Sequence, residues 1–246
     1  MEFELEIIGT SVESCVEAEK GGATRIELCA SMCNGGTTPP FSLIQASVRK
    51  LTIPVYVMIR PRGGDFLYSD AEFELMLEDI KLCKHIGVQG IVTGILNANG
   101  SVDKKRNGIL VDLAYPMAVT FHRAFDRCSN PQEAVNDIIG LGFERILTSG
   151  QKPSALQGAT LLKDLINTFG KEIIIMPGSG IDENNIAAIA RETGALEFHL
   201  SAKSSKPGSM QFANPDMKED LLNPSVNIQQ IRSIATKLRG LNDGHK

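Results

Sequence analysis

The chain has no apolar run approaching the roughly 18 residues that a helix needs to cross a bilayer, so a membrane-spanning protein is not expected. It also has no surplus of basic charge. Lys and Arg total 25 against 29 Asp and Glu, a formal net charge of −4. Nucleic acid or an anionic membrane surface as main partner would need a basic face, and both are set aside. Cysteine is sparse and odd in number: Cys15, Cys29, Cys33, Cys83 and Cys128 are scattered along the chain. Such usage fits reduced thiols rather than a disulfide framework. The acidic start MEFELEIIG does not read as a signal peptide, and the expected location is the cytoplasm. No linker, low-complexity tract or close repeat interrupts the sequence, so one domain is expected over residues 1–246.

What is present is an alternation of short strand-like runs with amphipathic stretches. The runs fall at 3–8, 25–29, 54–60, 89–93, 118–122, 144–148, 172–176 and 197–201. Helices are expected at 11–20, 42–50, from 69 or 70 to 86, 103–113, 130–139, 154–169, 182–193 and 227–239. Several carry recognisable ends, such as Ser11 before and Gly21-Gly22 after the first, or Asn130-Pro131 at the start of the fifth. Eight such units in 246 residues, near the ~250 of one α/β barrel, predict a (β/α)8 TIM barrel, with a doubly wound sheet as the alternative.

The stretch PVYVMIRPRGGDF, residues 54–66, organises the reading of the site. As a strand it points Val55, Val57 and Ile59 one way and Tyr56, Met58 and Arg60 the other. With the β-branched face outward, Arg60 lies inward at the carboxyl end, where α/β folds place their chemistry. Polar residues recur on the same inner faces: Glu4 and Glu6 on the first strand, Arg25, Glu27 and Cys29 on the second, Glu197, His199 and Ser201 on the eighth. Strands eight, one, two and three are neighbours in a barrel, so these groups form one sector of a lumen that Val, Ile and Leu ordinarily fill. Buried charge needs a partner, and Glu27 and Arg60 are expected within hydrogen-bonding reach, directly or through one water. Glu4, Arg25 and Glu197, at the amino ends, read equally as ion pairs at a wet barrel floor.

On the fifth strand, VTFHRAFD sets His122 inward, with Arg123 and Asp126 just beyond. A histidine oriented by an aspartate suits general acid or base work, because its ordinary pKa of about 6.5 lies near working pH. MPGSGI at 176–181, carrying Gly178, Ser179 and Gly180, precedes a helix expected near Asp182; it is either a grip for phosphate or another anion, or a plain tight turn. The polar segment 202–224, with Lys203 and Lys206, is either a lid or a mobile surface loop.

The blocks ATRIELCA, GGTTP, PVYVMIRPRGGDF, VTFHRAFD, IIIMPGSGI and HLSA, in this order and spacing, resemble the CutC family from about residue 6 to 201. The resemblance implies a cytoplasmic (β/α)8 barrel, a homodimer, and copper tolerance with copper binding. It carries over to Glu27, Cys29, Arg60, Arg62, Asp65, His122, Arg123, Asp126, His199 and Ser201, and it assigns no reaction.

Cu(I) prefers thiolate and thioether ligands. Cys29 and Cys33, in CASMC, are the two cysteines close enough in sequence to suggest a pair, with Met32 or Met58 as additions. Cys29 reads equally as a small buried hydrophobe, and Cys15, Cys83 and Cys128 as inert packing. Two functions follow. One is a copper-handling protein that holds Cu(I) through Cys29 and Cys33. The other is a barrel enzyme acting on a small anionic, phosphorylated or sugar-like metabolite. Glu27, Arg60, His122 and His199 would then be catalytic, and Arg62, Asp65, Arg123, Asp126, Gly178, Ser179, Gly180 and Ser201 would hold the anion.

Overall fold

In the computed structural model, residues 3–214, 216, 217 and 221–243 are described. The first half of the chain runs β1 (Glu4–Gly9), α1 (Val12–Gly21), β2 (Arg25–Leu28), α2 (Phe41–Lys50), β3 (Val55–Met58), α3 (Asp70–Ile86), β4 (Gly90–Thr93) and α4 (Lys104–Ala114). The second half runs β5 (Ala118–Phe121), α5 (Pro131–Gly140), β6 (Arg145–Thr148), α6 (Ala159–Phe169), β7 (Ile174–Pro177), α7 (Ile186–Thr193) and β8 (Glu197–Leu200). A hairpin of β9 (Lys203–Pro207) and β10 (Leu222–Val226) then leads to α8 (Ile228–Asp243).

Strands β1 to β8 are parallel, in the order β7-β6-β5-β4-β3-β2-β1-β8. A parallel bridge between Gly178 and His199 joins the ends of β7 and β8 and closes the TIM barrel. Period-two alternation sorts the apolar residues into two clusters. Ile7, Ile26, Val57, Ile91, Phe121, Ile146 and Phe198 pack outward with the helices. Cys29, Tyr56, Met58 and Val92 form a much smaller cluster inside, joined by Ile8, Met32 and Ala118. The Tyr56 ring fits the lumen because β4 presents Gly90 beside it, where a Cβ would lie 2.6 Å from the ring. Much of the rest of the lumen is taken by the buried charged side chains of Glu6, Arg25, Glu27, Arg145 and Glu197.

Local signals set the helix ends. Ser11 and Ser69 close capping boxes on α1 and α3, and Gly22 and Gly87 end those helices in the left-handed region. Two helices begin later than the sequence suggests. Residues before α6 are spent in turns, with Gln151 at φ 56°. Before α7, Asp182 accepts from the N–H groups of Asn184 and Asn185, while Asn185 Oδ1 accepts from the Asp182 N–H. These bonds hold a turn in place of the first helical turn expected at Asp182. The segment read as a lid or mobile loop contains the β9–β10 hairpin, fastened to α1 where Lys206 and Ser225 both bond Glu17. Residues 215 and 218–220 of that segment lie outside the described residues.

Candidate functional site at the carboxyl-end rim

The carboxyl ends of the strands surround a cavity of 340 Å³. Glu27, Cys29, Arg60, His122 and His199 line it, with Arg123, Ser179, Gly180 and Ser201 at its edge. Arg62, Asp65, Asp126, Gly178 and Cys33 do not. Neither does any described residue of the β9–β10 hairpin.

Arg60 is 5% exposed. Its guanidinium donates to the carbonyls of Asn34, Gly36 and Gly64 and lies 5.0 Å from the Phe66 ring centroid. Glu27 and Arg60 make no direct hydrogen bond. Backbone carbonyls of the loops after β2 and β3 take three of the guanidinium's five N–H groups, all on its terminal nitrogens, while the buried Nε has no partner. Glu27 turns instead to Cys29, whose Sγ donates to Oε2 at 3.3 Å, and to His199, whose Nε2 lies 3.8 Å from the same oxygen. Glu27 Oε1 is buried without a partner. Burial raises the Glu27 pKa.

His122 also departs from expectation. Its Nδ1 accepts from the Ala124 N–H at 3.3 Å, which leaves the ring proton on Nε2, itself buried and unpartnered. Burial first, and the Arg60 charge second, push its pKa down to about 3. The ring is therefore a neutral donor rather than a group poised to take a proton near neutrality. Gly94 makes room for it, since a Cβ there would stand 2.8 Å from Nδ1. Asp126 does not orient this ring. Its carboxylate is consumed by Arg123 Nε at 2.7 Å, Thr148 Oγ1 at 2.6 Å and the N–H groups of Ser149 and Gln151, so it fastens the turn after β5 to the end of β6.

Arg62 and Asp65 are likewise structural in their contacts. Arg62 bonds Glu72 at 2.6 Å, Asp65 at 3.0 Å and the Leu67 carbonyl, tying the Gly-Gly turn to α3 at the surface. In the loop after β7, Gly178 gives its N–H to the Thr148 carbonyl. Ser179 and Gly180 hold φ of 80° and 68°. Their loop is pinned to 153–155 by bonds to Pro153 and from Ala155.

Below the cavity runs a buried chain of charge. His199 Nδ1 lies 2.7 Å from Glu6 Oε1, Arg25 Nε donates to Glu6 Oε2 at 2.5 Å, and Arg25 and Arg145 both donate to Glu197. Tyr56 lies under both arginines, 5.0 and 5.5 Å from their guanidinium carbons. Burial works against the charged form of His199, but the Glu27 and Glu6 carboxylates outweigh it and raise the pKa. Arg145 was not singled out in the sequence, although its place at the start of β6, two residues before the inward Leu147, carries the alternation that would have found it.

Two donor sets face a metal differently. The soft one is Cys29, Met32 and Met58, all lining the cavity, while Cys33 is exposed, so the two cysteines are not brought together there. Burial, then the Glu27 charge, raise the Cys29 pKa well above that of a free thiol, and Glu27 holds it as S–H. The nitrogen and oxygen set is Glu6, Glu27 and His199, with candidate ligand atoms within 4.8 Å of one another.

A parallel eightfold barrel with a polar cavity at the carboxyl ends of the strands defines a TIM-barrel protein, and the cavity opens on the face where such barrels carry their sites. The model of the CutC family matches residues 3–204, and the chain belongs to that family. Relatives include the copper homeostasis protein cutC homolog of Mus musculus, 50% identical over 212 residues that cover 86% of this chain and 78% of the mouse protein. The family protein CutC of Parabacteroides distasonis is 49% identical over 215 residues, 87% of this chain and 88% of that one. The crystal structure of CutC from Streptococcus agalactiae superposes with a TM-score of 0.78 at 31% identity, covering 81% of this chain and 98% of its own.

Proposed function

We propose that this CutC-family barrel is an enzyme that binds a small anionic metabolite in the rim cavity and moves a proton there. The observation that carries the reading is the set of unpartnered buried atoms on the residues lining one cavity: Arg60 Nε and His122 Nε2 as donors, Glu27 Oε1 as acceptor. A buried polar atom left unmade costs about 1–3 kcal/mol, so three at one place are expected to be satisfied by a ligand. Arg60, the His122 N–H and Arg123 hold negative charge, with Ser179, Gly180 and Ser201 at the same edge. Glu27, backed by His199, is the proton carrier. Arg62, Asp65 and Asp126 support the loops in this reading and do not touch the anion.

A second reading, copper handling, is favoured by the presence of Cys29, Met32 and Met58 around the same cavity and by the names of the mammalian relatives. Cu(I) would then be cargo held by one thiol and two thioethers, displacing the Cys29 proton. The two readings separate by mutation. Metabolites retained by the purified protein are identified by mass spectrometry, and their binding and that of Cu(I) are measured on each variant. Arg60→Ala and His122→Ala are expected to lose the anion and keep Cu(I), with Cys29→Ser doing the converse. Anion binding that survives both of the first two variants overturns the enzyme reading.

The proposal extends to a cytoplasmic homodimer. Exposed Met210, Phe212 and Leu222 at the hairpin offer an apolar surface for a second copy, and light scattering on the eluted protein reads the mass directly.

A further inference from the structure

We infer that the anion of the rim cavity is a small aliphatic carboxylate that carries a hydroxyl, and not a phosphate ester. The inference deepens the reading above and rests on it for the presence of an anion. Charge comes first. Three arginines are buried among the described residues, and two of them have carboxylate partners: Arg25 pairs with Glu6 and Glu197, and Arg145 with Glu197. Arg60 has no such partner among the described residues; the carbonyls of Asn34, Gly36 and Gly64 give its guanidinium dipoles but no negative charge. Arg123, at the cavity edge, is already paired with Asp126 at 2.7 Å. One counter-charge is therefore missing, and a carboxylate supplies one. A phosphate monoester would bring about 1.5 to 2 negative charges at pH 7.

The grip that barrels use for phosphate is also taken. It lies in the loops after the seventh and eighth strands and at a helix start beside them, where backbone N–H groups are free. Here Asp182 Oδ1 accepts from the N–H groups of Asn184 at 2.7 Å and Asn185 at 3.1 Å, and the Gly178 N–H is spent on the Thr148 carbonyl. A carboxylate of the protein thus follows directly on Ile181, which lines the cavity, and repels a phosphate dianion there. After β8 the chain enters β9 with Ser201 and Ala202 between them, so no helix start stands at that end. No lysine lines the cavity among the described residues.

The polar atoms of the cavity fit a hydroxy acid. Arg60 Nε and His122 Nε2 are single N–H donors without partners. Both groups pack on the Phe66 ring, the guanidinium carbon 5.0 Å and the imidazole centre 4.7 Å from its centroid. Each oxygen of a carboxylate takes one of these donors. Glu27 Oε1, on the same lining, is likewise without a partner. A hydroxyl both donates and accepts, so it pairs with Oε1 whether or not Glu27 holds its proton. Much of the remaining lining, Ile8, Met58, Leu147, Ile181 and Leu200, is apolar and would leave the further hydroxyls of a sugar unpaired. At 340 Å³ the cavity lies at the low end of the about 300–1,000 Å³ of ligand pockets, so the aliphatic part is short.

The test uses the full chain, freed of retained metabolites and titrated calorimetrically with 2-hydroxy-3-methylbutanoate, 3-hydroxy-3-methylbutanoate, 3-methylbutanoate and isobutyl phosphate. The better hydroxy acid is expected to bind about 10-fold or more tighter than the phosphate, and about 2- to 10-fold tighter than the plain acid, as for one neutral hydrogen bond. Arg60→Ala weakens the hydroxy acid about 10- to 100-fold, as for one charge-assisted bond. Asp182→Asn keeps an acceptor for the turn but removes its charge; isobutyl phosphate is expected to gain about 2- to 5-fold and the hydroxy acid to stay unchanged. Isobutyl phosphate binding as tightly as the better hydroxy acid overturns the inference and leaves the anion reading standing, whereas no binding of any probe overturns both. Hydroxy-acid affinity unmoved by Arg60→Ala overturns the inference, and equal binding of the plain acid overturns the hydroxyl assigned to Glu27. Each variant is checked by its melting transition, and if Arg60→Ala does not fold, the comparison of acid with phosphate on the wild type still decides.

Discussion

Glu6 Oε1 lies 2.7 Å from His199 Nδ1, and through this contact the floor of the barrel is joined to its rim. Burial alone would raise the Glu6 pKa, but Arg25 and the His199 ring outweigh it and hold the carboxyl at about 2. With the folded value below the unfolded one of about 4.3, the unfolded chain binds more protons between them. The stabilisation is therefore complete above about pH 5 and lost as pH falls toward 2. Thermal melts from pH 3 to 7 are expected to show that loss in the wild type and a flatter curve in Glu6→Gln. Removing one partner of a buried pair costs roughly 3–5 kcal/mol, a Tm lower by about 6–20 °C for a chain of this size. Parallel curves would mean that the contact carries no linkage.

For His122 the expected NMR result is an imidazole that stays neutral, with the proton on Nε2, from pH 8 down to about pH 4. Its pKa of about 3 is set by burial and by Arg60. A depressed histidine pKa destabilises the fold as pH falls from about 6.5, where the unfolded ring charges, toward 3. Asp126→Asn is expected to lower stability by about 2 kcal/mol, through lost charge-assisted bonds to Arg123 and the β6 end, without moving the His122 titration. A shifted His122 titration in that variant would restore Asp126 as its orienting partner.

Gly94→Ala tests the same ring from the other side. The added Cβ would stand 2.8 Å from His122 Nδ1 and 3.1 Å from Phe121 Cε2. The ring is expected to be displaced from the Ala124 N–H, at a cost of about 1–3 kcal/mol in stability. Anion binding should fall about 10-fold or more, as for loss of a charge-assisted hydrogen bond. Unchanged anion affinity in a folded Gly94→Ala protein would remove His122 from the site.

Thiol labelling separates the cysteines. Cys33 is exposed, whereas Cys15, Cys29, Cys83 and Cys128 are buried. Burial raises the pKa of Cys15 to about 11, of Cys83 to about 12 and of Cys128 to about 12. At pH 7.5 one thiol is expected to react rapidly with a water-soluble disulfide reagent, and the reactive fraction should vanish in Cys33→Ser. Rapid reaction of a second thiol would show that the cavity admits the reagent to Cys29.

The barrel was legible because its signal is local. Alternation within four to six residues separates Val57 from Met58 and Ile26 from Glu27, and the caps at Ser11, Ser69 and Gly87 need only their own helix. Positions on the rim followed from the same rule, which is why Glu27, Arg60, His122 and His199 do converge on one cavity. Partnerships were not legible. Arg60 is satisfied by carbonyls of loops whose backbone path has no periodicity. Besides Arg123, Asp126 finds its partners at Thr148, Ser149 and Gln151, more than 20 residues away at and beyond the end of β6, and not at the nearer His122. The α7 start was misplaced because Asp182 caps a turn with the same side-chain chemistry that caps a helix.

Strands β7 and β8 meet through the single bridge between Gly178 and His199, while the other neighbours share ladders. The wall is thus weakest along one seam, and the seam ends at the cavity. Any ligand that touches both the loop after β7 and His199 spans that seam, so its binding energy is added to the work of parting these two strands. Amide exchange in β7 and β8 should accordingly slow on ligand binding more than elsewhere in the sheet. Occupancy of the pocket and integrity of the wall would then be two readings of one equilibrium.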